Sequence, residues 1–414
     1  MSESDRAVLE ALFQAALSAA YPETRMQHLL PEPPEGRTIV LGAGKGAARM
    51  ARAFETLWPH RCEGLVVTRY GHGTPTERIE VVEAAHPVPD AAGRAAAQRI
   101  LDLAHAAGPD DLVVCLVSGG ASALLSLPAE GLTLEDKQTV NKALLRSGAP
   151  IQEMNAVRKA MSAIKGGRLA AAAAPARVVT YLISDVPGDE PGVIGSGPTV
   201  AGGADPETAL AILRRYEIAV PEAVERAIRA NTAPAALPEA DLHMLATPQM
   251  ALEAAAAKAR ELGLAPVILG DALEGEAREV GRVLAGIAEQ ALRHGQPAAR
   301  PCVLLSGGET TVTVKGQGRG GRNVEFLLAL TLQLQGRPGI AAIACDTDGI
   351  DGSEDNAGAW TDAATLAQGK AQGLVAADFL ADNDAYSYFA ALDRLVVTGP
   401  TLTNVNDFRA ILVR

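Results

Sequence analysis

The sequence predicts an α/β protein of two domains, each a β-sheet flanked by helices. Three observations carry this. A chain of 414 residues exceeds what one ordinary hydrophobic core supports. Short β-branched runs alternate with Ala-rich helical ones, the pattern of βαβ units with a mostly parallel sheet. Small-residue motifs follow the β-branched runs directly, where ligands of such sheets bind.

The alternation starts at Arg37: "RTIVL" then "GAARMARAFETL"; "GLVVT"; "RIEVVEAA" then "DAAGRAAAQRILDLAHAA"; "DLVVCLV" then "ASALLSL". It predicts a Rossmann-like parallel sheet with helices on both faces. Helical segments fill Leu134 to Ala173, followed by the strand "RVVTYLI" and the loop "SDVPGDEPGVIGSGPT". The stretch "NTAPAALPEADLH", Asn231 to His243, has two prolines and no periodicity, and reads as a linker. Domains over residues 1–236 and 237–414 follow. The second α/β series opens with "MLATPQMALEAAAAKARELGLAPVILGD" and ends at "RLVVTGPTLTNVND", and is expected to carry a mixed sheet.

Composition narrows the function. A profile of 48% hydrophobic and 21% charged residues is globular. The net charge of −12 leaves no general basic field for a nucleic-acid backbone. Cys62, Cys115, Cys302 and Cys345 form no CxxC and sit in or beside apolar runs, as reduced core residues of a cytoplasmic protein. "MSESDRAVLEALFQAAL" begins acidic and turns into an amphipathic helix without the basic start of a signal peptide. The most apolar window, "LVVCLVSGGASALLSLP", is broken by Ser-Gly-Gly and reads as strand, loop and helix, not as a membrane span.

In "TIVLGAGKGAARM", Gly42, Gly44 and Ala47 satisfy a loose dinucleotide pattern between a strand and a helix. The ribose-binding acid that pattern needs is missing: Arg69 follows "GLVVT". A Walker loop is excluded too, because Gly46 follows Lys45. What remains is a lysine on a glycine turn at a helix N-terminus, which favours an anion; a tight turn with a solvated lysine is the bland reading. Ser118-Gly119-Gly120 and Ser306-Gly307-Gly308 each follow an apolar run and suit backbone cradles for phosphate or carboxylate. Either alone would also make an ordinary turn. The second leads into "GQGRGGRNVEF", where Arg319 and Arg322 could fork onto phosphate oxygens, with Asn323 and Glu325 as polar residues on an apolar helix.

Acidic loops offer Asp185 and Asp189 after one strand, and Asp346, Asp348 and Asp351 after another. Mg²⁺ needs only one or two carboxylates plus substrate phosphates. Turn chemistry is the alternative for both, and the Asp346 loop could instead order a neighbouring cation. His86 sits between a strand and a proline turn, as a substrate contact or a packed histidine. Asn404 and Asp407 belong to "TGPTLTNVNDF", whose short polar groups suit hydroxyls or a nucleotide. No GxSxG elbow or Ser/His/Asp order supports a serine hydrolase.

In order along nearly the whole chain, "GAGKGA", "VTRYGHG", "EAAHPVPDAAG", "LVSGGASALL", "MNAVRKAMSAIKGGRLA", "ISDVPGDEPGVIGSGPT", "SGGETTVTV", "GRGGRNVEFLLAL", "DTDGIDG" and "TGPTLTNVNDF" resemble the glycerate 2-kinase family, whose C-terminal part is the MOFRL domain. Some members carry the label hydroxypyruvate reductase. The resemblance implies ATP- and Mg²⁺-dependent phosphorylation of D-glycerate to 2-phosphoglycerate in a cleft between two α/β domains. It implies Lys45 and Arg322 as the catalytic pair. The partners it implies are a small-molecule substrate and a nucleotide, with no nucleic acid or membrane; a homo-oligomer stays open. The chain departs from the pattern at Ala160-Met161, where His-Leu is more usual, and at Leu402, where glycine is usual. Two rivals stay open from the residues alone: an NAD(P)H-dependent hydroxypyruvate reductase using Gly42, Gly44 and Ala47, and a non-catalytic organic-acid or nucleotide sensor.

Overall fold

The computed structural model describes residues 3–202 and 205–414. The chain folds as two units, Pro22–Leu245 and Met1–Tyr21 with Ala246–Arg414.

The first unit is built on β1 (Thr38–Ala43), β2 (Glu63–Arg69), β3 (Ile79–Ala84), β4 (Leu112–Val117), β5 (Arg177–Ile183) and β6 (Asp241–Ala246), in the order β3-β2-β1-β4-β5-β6. The pairs β2–β3, β1–β2, β1–β4 and β4–β5 are parallel. Both β1 and β4 are buried along their whole length, and they read as continuous apolar runs because helices cover both faces. Ile39, Leu41, Val113 and Cys115 meet Ile100 and Ala104 of the helix Ala91–His105 in one core. Each such large aliphatic side chain contributes about 1.5–3 kcal/mol on burial. Asp90 caps that helix, its carboxylate accepting the Gly93 N–H at 2.9 Å.

The winding reverses at β1. The chain builds outward through β2 to β3 and then returns to place β4 on the other side of β1. The carboxyl ends of β1 and β4 therefore border a topological switch point, where open α/β sheets bind ligands. Gly42 lies opposite Val66 and Leu116. A Cβ there would meet the Leu116 carbonyl oxygen at 2.2 Å, so only glycine lets the strands pair. Beyond β4, the helices Leu134–Ser147, Ile151–Ala160, Pro206–Arg215 and Glu222–Ala230 enclose a second core of Val140, Leu144, Val157, Leu210 and Ile228. Thr133 and Asp136 close a capping box at the first of these helices.

The second unit has the short strands β8 (Gly275–Glu276) and β10 (Thr310–Thr311), paired with each other. Its main sheet comprises β7 (Ala265–Gly270), β9 (Cys302–Ser306), β11 (Ile340–Asp346), β12 (Gly358–Thr361), β13 (Leu395–Val396) and β14 (Asp407–Val413), ordered β13-β12-β11-β14-β9-β7. It is mixed, with β7 parallel to β9 and the remaining pairs antiparallel. Because β14 runs against both neighbours, its opening residues meet the ends of theirs: its first residue, Asp407, pairs with Asp346, and its third, Arg409, with Ser306. That register gathers three polar segments at one end of the central strands. The helices Ala277–His294 and Arg322–Leu334 cross at Gly281, where a Cβ would come within 2.4 Å of the Phe326 carbonyl oxygen.

Two features differ from the sequence expectation. The first helix, Glu3–Ala20, was expected in the N-terminal domain but packs on the second unit, with Phe13 and Phe408 ring centroids 5.7 Å apart. Thr403 Oγ1 also donates to the Ala20 carbonyl oxygen at 2.8 Å. The stretch expected as a linker is ordered structure of the first unit. Asn231 is pinned there, accepting from Arg168 Nε at 3.1 Å and donating to the Ala160 carbonyl oxygen at 2.8 Å. His243 lies on β6 and stacks on Tyr181 of β5. The four cysteines are buried.

Candidate active site

At the switch point of the first unit, the turn after β1 and the loop after β4 are tied together. The Lys45 N–H donates to the Gly119 carbonyl oxygen at 2.8 Å, the Gly44 N–H to Val67 at 3.0 Å, and the Gly46 N–H to Ser118 Oγ at 3.0 Å. Gly44 has φ +135°, and a Cβ on it would lie 2.1 Å from Ser118 Oγ. Gly44 thus lets the turn pass Ser118, and its backbone donor is spent on the fold. The amides a dinucleotide pyrophosphate would use on this turn are engaged. The amides of Gly119 and Gly120 differ: neither donates a hydrogen bond to any described residue. They precede the short helix Ala121–Leu124 and form a small concavity of donors that suits an anion. Gly120 has φ +81°, which favours glycine, and a Cβ there would press on His86 Nε2 at 3.0 Å and Lys45 Cγ at 3.3 Å. The structure therefore brings Lys45, His86, Ser118, Gly119 and Gly120 together.

Beside that loop opens a cavity of about 640 Å³, whose lining includes His86, Gly120 and Ser122 together with Lys137, Arg158 and Lys165. The three cations were not singled out from the sequence. Lys137 lies on the helix Leu134–Ser147, Arg158 on the helix Ile151–Ala160, and Lys165 in the turn beyond it. Arg158 Nε donates to Asn141 Oδ1 at 2.7 Å and its Nη1 to Asn155 Oδ1 at 3.2 Å. The Lys165 ammonium donates to the Ser122 carbonyl oxygen at 2.6 Å. Burial pushes the Lys137 ammonium down to about 7, and burial together with Lys137, Arg158 and Lys159 pushes Lys165 well below the usual lysine range.

In the second unit the strand-end cluster assembles around Arg322, the first residue of its helix. Its guanidinium donates to Asp407 Oδ1 at 2.8 Å, Asp346 Oδ2 at 2.8 Å and Glu309 Oε1 at 2.9 Å. Burial alone would disfavour the charge, but Asp407, Asp346 and Glu309 outweigh it, and the pKa rises above the ordinary arginine value. Arg322 is a permanent cation held in one orientation, with 23% of its side chain exposed. Asp407 is fully buried; besides Arg322 it accepts from Asn323 Nδ2 at 2.7 Å and, on its other oxygen, from Arg409 at 2.5 Å. Arg409 in turn donates to the Gly307 carbonyl oxygen at 3.0 Å, which fixes the Ser306 loop. Gly308, at φ +98°, accepts the Asp407 N–H through its carbonyl at 3.2 Å.

Asp351 proves more important than one acid among several. Gly321, which starts the helix Arg322–Leu334, has no side chain to cap it. Asp351 supplies the cap from across the fold, its carboxylate accepting the Asn323 N–H at 3.0 Å and the Val324 N–H at 2.9 Å. Burial pushes Asp351 up to about 6 against those two hydrogen bonds. Glu325 is committed elsewhere: Arg278 Nε donates to it at 2.8 Å and Asn383 Nδ2 at 3.0 Å. Arg319 likewise serves structure, donating to Glu354 at 3.2 Å and lying over the Tyr386 ring. Asn404 is buried and accepts the Asn406 N–H at 3.2 Å.

For a divalent cation, no group of three or more His, Cys, Asp or Glu is poised to hold one among the described residues. Carboxylate pairs are present within each unit. Asp185 and Asp189 are half-buried on the loop after β5. After β11, Asp346 is engaged by Arg322 and by the Asp348 N–H at 2.9 Å, so its first role is to balance the arginine. Such pairs fit Mg²⁺, which completes its shell with waters and substrate phosphates.

The fold and these loops define a two-unit α/β protein with a cluster of loop residues at the strand ends of each unit. Comparison with known proteins gives the family. Residues 8–229 match the family described as Domain of unknown function (DUF4147), and residues 302–407 match the MOFRL family. A protein of Agrobacterium vitis provisionally named a hydroxypyruvate reductase is 54% identical over 99% of this chain and 95% of its own length. The D-glycerate 2-kinase of Thermotoga maritima is 40% identical over 98% of this chain and 97% of its own length. The crystal structure of glycerate kinase from that organism superposes with a TM-score of 0.93 at 38% identity, covering 100% of both chains. The chain belongs to the glycerate 2-kinase family with a C-terminal MOFRL domain.

Proposed function

We propose that this chain is an ATP-dependent kinase that phosphorylates D-glycerate at its 2-hydroxyl, giving 2-phosphoglycerate and ADP. The observation that carries the reading is its likeness over nearly its whole length to the D-glycerate 2-kinase of Thermotoga maritima. Phosphoryl transfer asks chiefly for positioning and charge neutralisation, and no covalent residue is required. Lys45 and Arg322 are the catalytic pair of this proposal, each offsetting charge on the γ-phosphoryl. The hydroxyl oxygen bonds to phosphorus as the bond to the bridging oxygen breaks, ADP leaves, and the hydroxyl proton passes to solvent. The Gly119 and Gly120 amides are suited to hold anionic groups of the ligands, whereas on the Ser306 loop the Gly307 N–H is spent on the Gly270 carbonyl oxygen at 2.9 Å. Mg²⁺ would be held by Asp185 and Asp189 or by Asp348 with Asp346, and when bound it neutralises phosphate charge.

A reductase would need a nicotinamide dinucleotide on the Gly44 turn. Two features speak against it: the amides of Gly44, Lys45 and Gly46 are engaged within the protein, and β2 ends on Arg69 in place of an acid. A cytoplasmic location is part of the proposal; no described helix is long and apolar enough to cross a membrane. The test is ADP release from Mg-ATP and D-glycerate with ³¹P identification of the product, beside NADH oxidation with hydroxypyruvate. Consumption of NADH while ATP survives would select the reductase.

A further inference from the structure

The cavity behind Gly120 is not explained by phosphate neutralisation. In a chain with net charge −12, Lys137, Arg158 and Lys165 line it with no carboxylate in ion-pair contact among the described residues. Their partners are neutral: Lys137 donates to the Leu127 carbonyl oxygen at 3.3 Å, Lys165 to Ser122, and Arg158 to two asparagines. Arg158 Nη2 and the remaining ammonium protons make no hydrogen bond to described residues. Desolvated like charges without counter-charge cost stability. Such a cost persists where a ligand supplies the missing charge.

Val140, Leu144, Val157 and Met161 give the same cavity an apolar part to its lining. Such a lining keeps water out and strengthens the attraction for an anion. The outstretched arm of a guanidinium beside two ammonium groups suits a planar carboxylate. Gly120 and Ser122 line the same cavity and the Lys165 ammonium donates to the Ser122 carbonyl oxygen at 2.6 Å, so an acid held by the cations lies next to the loop that carries the free amides.

We infer that Lys137, Arg158 and Lys165 form the carboxylate-binding pocket of the acceptor substrate, a small 2-hydroxy acid, and so set which acids the protein accepts. The inference deepens the kinase reading and rests on it for the identity of the acid. Calorimetric titration of D-glycerate onto the wild-type chain, Lys165→Met, Arg158→Met and Arg158→Lys tests it, with KM values for D-glycerate and ATP measured alongside. The two Met variants should weaken D-glycerate binding about tenfold or more, the loss expected for a charge-assisted hydrogen bond, and Arg158→Lys should restore part of it. The KM for ATP should stay within about twofold of wild type.

The unliganded Lys165→Met protein should melt at or above the wild-type temperature, because a buried charge is gone; a purely structural lysine would give the reverse. Arg158 is half-exposed, and Arg158→Met provides the same readout if Lys165→Met loses its fold. Unchanged D-glycerate affinity in the Met variants, no D-glycerate binding by wild type, or a rise in the ATP KM instead would each overturn the inference. The kinase reading is judged separately: wild type that binds D-glycerate but forms no ADP refutes that reading, whatever the variants show.

Discussion

Arg322 shows how one side chain can be both structural and chemical. It is the counter-charge for Asp407, Asp346 and Glu309, yet it keeps an exposed flank. Arg322→Ala is predicted to lower kcat by roughly 10³-fold, on the scale of arginines that neutralise phosphoryl charge. Far-UV circular dichroism should remain native, because Asp407 keeps Arg409 and Asn323 as partners. Arg322→Lys preserves the charge but cannot fork between carboxylates, and recovery of only part of the activity is expected. Turnover near wild type in the Ala variant would remove Arg322 from the mechanism. Lys137 makes a pH-dependent prediction. Its folded pKa of about 7 lies below the ordinary 10.5, so between those values the unfolded chain binds the extra proton and stability rises with pH. Urea titrations should show the unliganded wild type gaining stability from pH 7 to 10 relative to Lys137→Met. An identical pH dependence in both proteins would contradict the assignment.

At the scale of elements, the second unit relies on a cap brought from elsewhere in the chain. Asp351→Ala should cost about 1–2 kcal/mol in urea unfolding, the usual loss for a helix N-cap, and should reduce kcat because Arg322 opens that helix. Loss of activity without loss of stability would show that Asp351 acts otherwise. This cap was only half legible in the sequence: a Gly-Arg-Asn start without its own Ser, Thr or Asp signals a missing partner, but the partner's position is tertiary. The parallel sheet of the first unit was legible because βαβ alternation is local, and each strand end is marked by a change from β-branched to small residues. The destination of the first helix was not. Its periodicity shows that one face is buried, while the choice of Phe408 as its partner is a tertiary contact between the two ends of the sequence within one unit. Lys137, Arg158 and Lys165 were hidden for the same reason, since they arise from separate elements and become a cluster only when those helices pack. Gly42 is an intermediate case: its place in a glycine motif suggested a ligand, and its closest constraint proved to be the neighbouring strand. Gly42→Ala should destabilise the first unit by pushing β4 away from β1, measurable as a lower melting temperature; an unchanged one would mean that the strands adjust freely.

For the whole molecule, the family assignment and the site reading converge on transfer of a phosphoryl group to a small hydroxy acid, while one close relative carries a redox name. The two chemistries differ in what the switch-point turn must do. A dinucleotide enzyme leaves the amides of that turn open for pyrophosphate, whereas here they are spent joining β1 to the Ser118 loop and the lysine side chain carries the charge. The most direct measurement is ³¹P NMR of the purified protein with Mg-ATP and D-glycerate, with NADH and hydroxypyruvate followed in parallel. ADP and 2-phosphoglycerate should appear together in equal amounts while NADH absorbance stays constant. Constant ATP with falling NADH absorbance would contradict the kinase reading, and would make the Gly44 turn a nicotinamide site.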